Sequence, residues 1–252
     1  MKSPLADKDS FKSAKILKEL IPVNSVVESY LLYSGEMELS LCAANRLVIA
    51  HTSKYPLYEF WWMAKNRNFQ VASMAQDVAS RLSEKMLYQL QESWYEYRDP
   101  VYRAALFYIL NRCSDVGRST CGSLDLTRLT PHLFRRFKMI DIQDMHFILD
   151  KDAPLHRSLN TQIQSDIKFF PVGKYTRQLL HREGPPAVDM PTIDHNSLLR
   201  VLADAPYKWV ILYKYNRHLL GKLSAHNVVL VDKYGNHTVD PERCEDIIAT
   251  NF

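Results

Sequence analysis

Two groups of side chains in this sequence have the types and spacing to do chemistry. One is a basic run, Arg112, Arg118, Arg128, Arg135, Arg136 and Lys138, beside a polar loop. Such guanidinium and ammonium groups suit phosphate contacts, which position a protein without reading sequence. The other is the stretch Val26–Leu39, VVESYLLYSGEMEL: an apolar pair, the acid Glu28, a single Gly35, then a helical start. Strand, turn and helix in that order is where many α/β proteins hold a nucleotide, usually with two or three glycines in the turn. His51 closes the next apolar run, "RLVIAH". Elsewhere His132, His146, His156, His181, His195 and His218 show no metal-binding pair at i, i+4. No Ser/His/Asp or Cys/His arrangement follows from the spacing, and there is no phosphate-binding P-loop.

Composition narrows the classes. The 252 residues are 46% hydrophobic and 24% charged with a mean hydropathy of −0.26, which is ordinary for a globular chain. Seven glycines is few for a nucleotide-binding protein, whereas aromatics are plentiful. A formal charge of +4 permits nucleic-acid binding without demanding it. Cys42, Cys113, Cys121 and Cys244 form no CxxC pair and no ligand cluster, so reduced thiols are expected and neither zinc nor a disulfide framework. No apolar run approaches the ~18 residues of a membrane span. The N-terminus lacks the apolar core of a signal peptide. A cytosolic protein without a membrane partner is expected.

The positioning elements follow from periodicity. "FKSAKILKELIP" has a helical apolar spacing closed by Pro22, "NSVVESYLL" is a short buried strand, "EMELSLCAAN" a helix and "RLVIAH" a second buried strand. The stretch from "PLYEFWWMAKN" to "QESWYEYR" is helical and aromatic-rich, and "DPVYRAALFYILNRC" is a helix capped by Asp99. A polar loop precedes the short helix "PHLFRRFK", and "MIDIQDMHFIL" reads as a strand followed by a small helix. "SDIKFFPVGKY" is strand then loop, "DHNSLLRVLADAP" a helix capped by Asp194, and "YKWVILYKYN" a strand. "NVVLVDKYG" and "NHTVD" predict an antiparallel hairpin around Tyr234-Gly235-Asn236. The pattern implies an α/β sheet, mostly parallel with a C-terminal antiparallel hairpin. Residues 1–59 and 140–252 would form it, with a helical and loop insertion over 60–139.

This order of elements resembles the Dam-like family of adenine-N6 DNA methyltransferases. The likeness is carried by "ALFYILNR" (residues 105–112), by "DHNSLLRVLADAPYKWVILYKYNRHLLGKL" (residues 194–223) and by "FKMIDIQDMHFIL". It spans most of the chain at low identity and implies a Rossmann-like methyltransferase sheet whose insertion approaches DNA. The family's functional motifs are altered. Its opening aromatic, two glycines and lysine become Phe11-Lys12-Ser13-Ala14-Lys15, without the glycines. Its acid and glycine-rich turn become Glu28-Ser29-Tyr30 and Leu31-Leu32-Tyr33-Ser34, where Leu32 and Tyr33 fill the space for the methionine moiety. Its next strand ends in an aspartate, here His51. Its catalytic D-P-P-Y becomes Phe170, Pro171, Val172 and Gly173 ("FPVG"), with Phe170 in place of the acid; the later "REGPPAVD" does not restore it.

The resemblance therefore implies a catalytically inactive methyltransferase-like protein kept for binding DNA, a protein partner or a second copy of itself. Lys15, Glu28 and His51 would be vestigial cofactor positions, with no cofactor and no metal. The rival is an active enzyme binding S-adenosylmethionine through Lys15, Glu28, His51 and Asp166, with the target base near Pro171. A third reading is a structural subunit of a larger assembly, including a virion, since phages carry such family members; the cell would be bacterial or phage-infected. Phe60, Trp61, Trp62, Trp94, Tyr95 and Tyr97 are read as core or interface before stacking platforms for bases.

Overall fold

Strand periodicity places alternate residues on opposite faces of a sheet, and the sheet of this protein is built on that alternation. The computed structural model describes residues 2–150, 164–175 and 193–252. Its strands are β1 (Val26–Ser29), β2 (Leu47–Thr52), β3 (Met145–Leu149), β4 (Ile167–Gly173), β5 (Trp209–Lys214), β6 (Asn227–Asp232), β7 (His237–Thr238) and β8 (Cys244–Thr250). They form one sheet in the order β3-β2-β1-β4-β5-β8-β6-β7. The first five pair in parallel, and β8 runs antiparallel between β5 and β6. The predicted hairpin is present as β6–β7, turning at Gly235 with φ +82.

The architecture is thus α/β, with a mostly parallel sheet and an antiparallel C-terminal part. Two elements differ from the sequence reading. Residues 139–144, expected as the strand, are turn and irregular backbone, and residues 145–149, expected as a small helix, are strand β3. The β-forming run His146-Phe147-Ile148-Leu149 gains a partner in β2, with which it pairs residue for residue as an edge strand. Strand β8 was not anticipated; "CEDIIAT" carries two acids in sequence, and only its insertion between β5 and β6 makes it a strand.

The helices are α1 (Ala14–Leu20), α2 (Glu36–Cys42), α3 (Tyr55–Ala79), α4 (Glu84–Ser93), α5 (Pro100–Cys113), α6 (Pro131–Lys138), α7 (His195–Ala203) and α8 (Arg217–Lys222). Local chemistry sets their starts. Asp99 accepts from Val101 N at 2.8 Å with Pro100 in the first turn, and Asp194 accepts from Asn196 N and Ser197 N. Helix α3 carries a break in helical geometry at Arg67.

Two cores flank the sheet. On one face Val27, Val48 and Phe169 share a cluster with Phe60 and Trp61 of α3, Phe107 of α5 and Phe137 of α6. On the other, Tyr30, Phe170, Ile211 and Tyr213 pack with Leu198 and Leu202 of α7. Among the described residues no helix is long and apolar enough to cross a membrane.

Candidate functional site at the carboxyl ends of the strands

In an open parallel sheet, ligands bind beyond the carboxyl ends of the strands, where the strand order reverses. Here that point lies between β1 and β4. Register puts Ser29 opposite Ala50 of β2 and Phe169 of β4, so the next residue of each strand, Tyr30, His51 and Phe170, forms a row across the sheet. The Tyr30 ring stacks on the His51 imidazole at 4.6 Å and on the Phe170 ring at 5.2 Å, with planes 20° and 12° from parallel. Tyr30, Leu32 and Phe170 are fully buried.

The turn after β1 keeps an unusual backbone. Leu31 has φ +67, a left-handed conformation that costs a non-glycine residue roughly 1–2 kcal/mol. Gly35 also has a positive φ, +66, and a Cβ there would stand 2.6 Å from the Trp61 ring. The one glycine of this turn is therefore needed for a side chain of its own fold. Trp61 Nε1 donates to Tyr33 O at 3.0 Å, and the Tyr33 hydroxyl donates to Gly117 O, so the turn is held from the helical layer.

Beneath Tyr30 lies a buried charge network. His51 Nε2 stands 3.1 Å from Glu28 Oε1, and His51 Nδ1 stands 3.1 Å from Asp150 Oδ2. Lys168 Nζ is 3.2 Å from Glu28 Oε2 and donates to the Tyr30 hydroxyl at 3.2 Å, while Ser165 Oγ donates to Glu28 at 3.1 Å. Burial raises the Glu28 carboxyl, but hydrogen bonds from His51 and Tyr30 and the Lys168 charge outweigh it and hold the pKa at about 2. Burial pulls His51 down, and its two carboxylate neighbours more than reverse this, so its pKa is raised. Glu28 and His51 are thus tied into one ion-pair cluster.

The other positions named from sequence are also occupied by structural contacts. Lys15 Nζ donates to Asn236 Oδ1 at 3.2 Å, on the β6–β7 turn. Asp166 accepts from Val26 N at 2.7 Å, at the amino end of β1 and so at the wrong edge of the sheet for a ligand. Pro171, Val172 and Gly173 form the irregular end of β4, with a register shift between Pro171 and Gly173. The "REGPPAVD" segment lies outside the described residues. Among the described residues no cluster of His, Cys, Asp or Glu could hold a metal.

An N-terminal strap crosses this edge, a feature that local periodicity could not reveal. Asn111 exchanges hydrogen bonds with both backbone groups of Ala6, and Ser34 Oγ donates to Asp7 at 3.0 Å. At the far end Ser13 Oγ donates to the buried Asp246 at 2.7 Å, which also accepts from Lys12 N and pairs with Lys214 at 2.7 Å. The strap, the ends of β4 and β5 and the start of β8 border an open hollow of about 350 Å³ lined by Lys8, Lys12, Lys174 and Lys214 together with Asp9 and Glu245. Asp9 engages Lys174 at 2.6 Å.

The structure divides the basic run. Arg128 donates to Ser114 O at 3.0 Å and lies 3.6 Å from Asp125. Lys138 donates to Gln76 at 3.1 Å and sits over the Phe69 ring. Arg112, Arg118, Arg135 and Arg136 have no carboxylate partner among the described residues. Arg112, Arg136 and Tyr108 are within electrostatic reach of one another. Burial and the Arg136 charge push the Arg112 guanidinium down, and Tyr108 only partly offsets them. Two like charges within electrostatic reach and without an acid partner add positive charge to this region. Of the aromatics, Phe60, Trp61 and Trp94 are core, while Trp62, Tyr95 and Tyr97 are exposed. Neither a family model nor a curated protein sequence matches this chain.

Proposed function

We propose that this chain is a catalytically inactive, methyltransferase-like protein that acts by binding, with the phosphate backbone of DNA as its ligand. One observation carries the reading: the fully buried Tyr30 stacks between His51 and Phe170 across the crevice where a parallel sheet of this order holds its ligand. The residues present do not fit S-adenosylmethionine there. Tyr30 and Leu32 fill the turn, Leu31 puts a side chain on a left-handed backbone position suited to glycine, and Glu28 is committed to His51 and Lys168. The acid that an amino-group acceptor would require is replaced by Phe170, itself part of the stack.

The strand order and the resemblance of residues 105–112 and 194–223 support a methyltransferase ancestry. Function lives in the site rather than the fold, so the binding surface takes precedence. The unpaired Arg112 and Arg136, with Arg118 and Arg135 nearby in sequence, support phosphate contacts.

Calorimetric titration with S-adenosylmethionine and its demethylated product tests the first half, with no heat expected at about 1 mM ligand. DNA affinity across salt concentrations tests the second half, since its slope counts the phosphates neutralised. Micromolar cofactor binding would overturn the inactive reading. Affinity that does not change with salt would overturn the phosphate reading.

A further inference from the structure

The sheet has two edges, and they are built differently. Strand β7 is two residues long, and so short an edge leaves little for another strand to pair with. Strand β3, at the other edge, has the five residues MHFIL and keeps an even register with β2. It lacks the proline, lysine or bulge that commonly keeps an edge from pairing.

Alternate residues of a strand direct their backbone groups to opposite sides. Asp144 O accepts from Val48 N at 2.9 Å and Asp150 N donates to Thr52 O at 3.0 Å, so His146 and Ile148 between them also face β2. Met145, Phe147 and Leu149 face outward. Met145 is already closed: its N–H donates to Ile142 O at 3.2 Å and its carbonyl accepts from Lys65 Nζ at 2.7 Å. The backbone groups of Phe147 and Leu149 have no partner among the described residues. The Phe147 ring stacks on Trp61 at 5.9 Å, which holds the strand against α3.

Two open residues with one between them are self-complementary. When a second β3 runs antiparallel about a two-fold axis at Ile148, Phe147 of each copy meets Leu149 of the other, and each pair exchanges both backbone hydrogen bonds. Ile148 meets its own counterpart, an apolar cross-strand pair. The flank of α3 extends the same surface. Trp62, 41% exposed, stands one turn before Lys65, and Phe69, 63% exposed, lies under Lys138 Nζ at 5.2 Å. Asn68 donates to Lys138 O and Ile140 O, each at 3.1 Å, on either side of Met139, which is 82% exposed. Exposed aromatic and methionine side chains beside an open strand fit a protein interface.

We propose that the open edge of β3 joins two copies of this chain, antiparallel about Ile148. The inference does not rest on the inactive-methyltransferase reading, because it uses only the backbone of β3 and its apolar border.

Sedimentation of the full chain across concentration is the first test, with dimer expected by about 50 μM. Ile148→Lys and Ile148→Glu each set like charges opposite one another at the axis, so each alone is expected to dimerise at least about tenfold more weakly. Mixed in equal amounts, the two variants are expected to recover dimer, which also shows that both are folded. Register is read by oxidation in a Cys121→Ser background, since Cys121 is exposed. Ile148→Cys is expected to cross-link to its own counterpart, because a Cβ separation of about 5 Å on the axis is close enough for a disulfide. His146→Cys, off the axis on the same face, is expected not to cross-link. A chain that stays monomeric up to about 500 μM overturns the proposal and leaves the edge to a strand of a different protein. So does a dimer that the charged variants leave unchanged, a mixture of those variants that stays monomeric, or cross-linking at His146→Cys as readily as at Ile148→Cys.

Discussion

The ring of Tyr30 lies against the imidazole of His51 with centroids 4.6 Å apart and planes 20° from parallel. The two residues come from neighbouring parallel strands, and Phe170 continues the stack on the other side. The stack fills the crevice and roofs the charge network beneath it.

Removing that roof is expected to be costly. Tyr30→Ala should destabilise the protein by roughly 3–5 kcal/mol, the range for truncating a large buried aromatic. Tyr30→Phe keeps the stack and loses only the hydroxyl that Lys168 and Glu28 use, so about 1–3 kcal/mol is expected. Denaturant midpoints with unchanged m-values would check both. Equal effects of the two substitutions would show that the hydroxyl, not the ring packing, is what matters.

Glu28 and Lys168 form the buried pair at the centre of the network, 3.2 Å apart. Glu28→Gln alone strands a buried ammonium and should cost about 3–5 kcal/mol; Glu28→Gln with Lys168→Met should cost less than the sum of the two singles. Additive effects in this double-mutant cycle would mean that the pair is not coupled.

The network also sets a pH window. Glu28, held at about 2, is more acidic folded than unfolded, so its contribution is complete above the ordinary carboxylate pKa and is lost as pH falls toward 2. His51 is raised by Asp150 and Glu28, so its contribution is complete below its unfolded value near 6.5 and is lost as pH rises through its folded pKa. Thermal unfolding should therefore show the network's largest contribution between those unfolded values. His51→Gln should remove its alkaline limb, and an unchanged alkaline limb in that variant would assign the limb to another group.

Gly35 should resist substitution. Gly35→Ala places a Cβ 2.6 Å from Trp61 on a left-handed backbone, so a loss above the roughly 1–2 kcal/mol of backbone strain is expected. A thermal midpoint within error of the wild type would show that Trp61 moves aside without cost.

On the basic surface, Arg112→Gln and Arg136→Gln should each lower the salt slope of DNA binding by about one phosphate contact, as expected for positions without an acid partner. Arg128→Gln, already bonded to Ser114 O and near Asp125, should leave the slope unchanged. A reversed ranking would move the phosphate surface toward the loop of residues 114–128.

Much of the frame was legible in sequence because it depends on neighbours within a few residues. The caps Asp99 and Asp194, the buried strands "VVES" and "LVIAHT" and the hairpin at Gly235 are of this kind. Strand β3, expected as a helix, and the unassigned β8 mark the limit of that reasoning, since each gains its strand partner from a segment far away in the chain. The deficit of glycine around residues 30–35 could also be read directly. That the remaining Gly35 serves Trp61 could not, because the two meet only when α3 packs across the sheet.

What the sequence determined by itself was the alternation of strands and helices, the polar caps that start them and the replacement of glycines and acids in the resembling motifs. Tertiary structure alone decided that Glu28, His51, Asp150 and Lys168 form one buried network, that Tyr30 fills the crevice, and that, among the described residues, Arg112 and Arg136 have no acid partner while Arg128 is bonded. The physical reason is one of range. Capping and periodicity act over a turn or two of chain, whereas burial, ion pairing and ring stacking depend on which distant segments the sheet and its helices bring together.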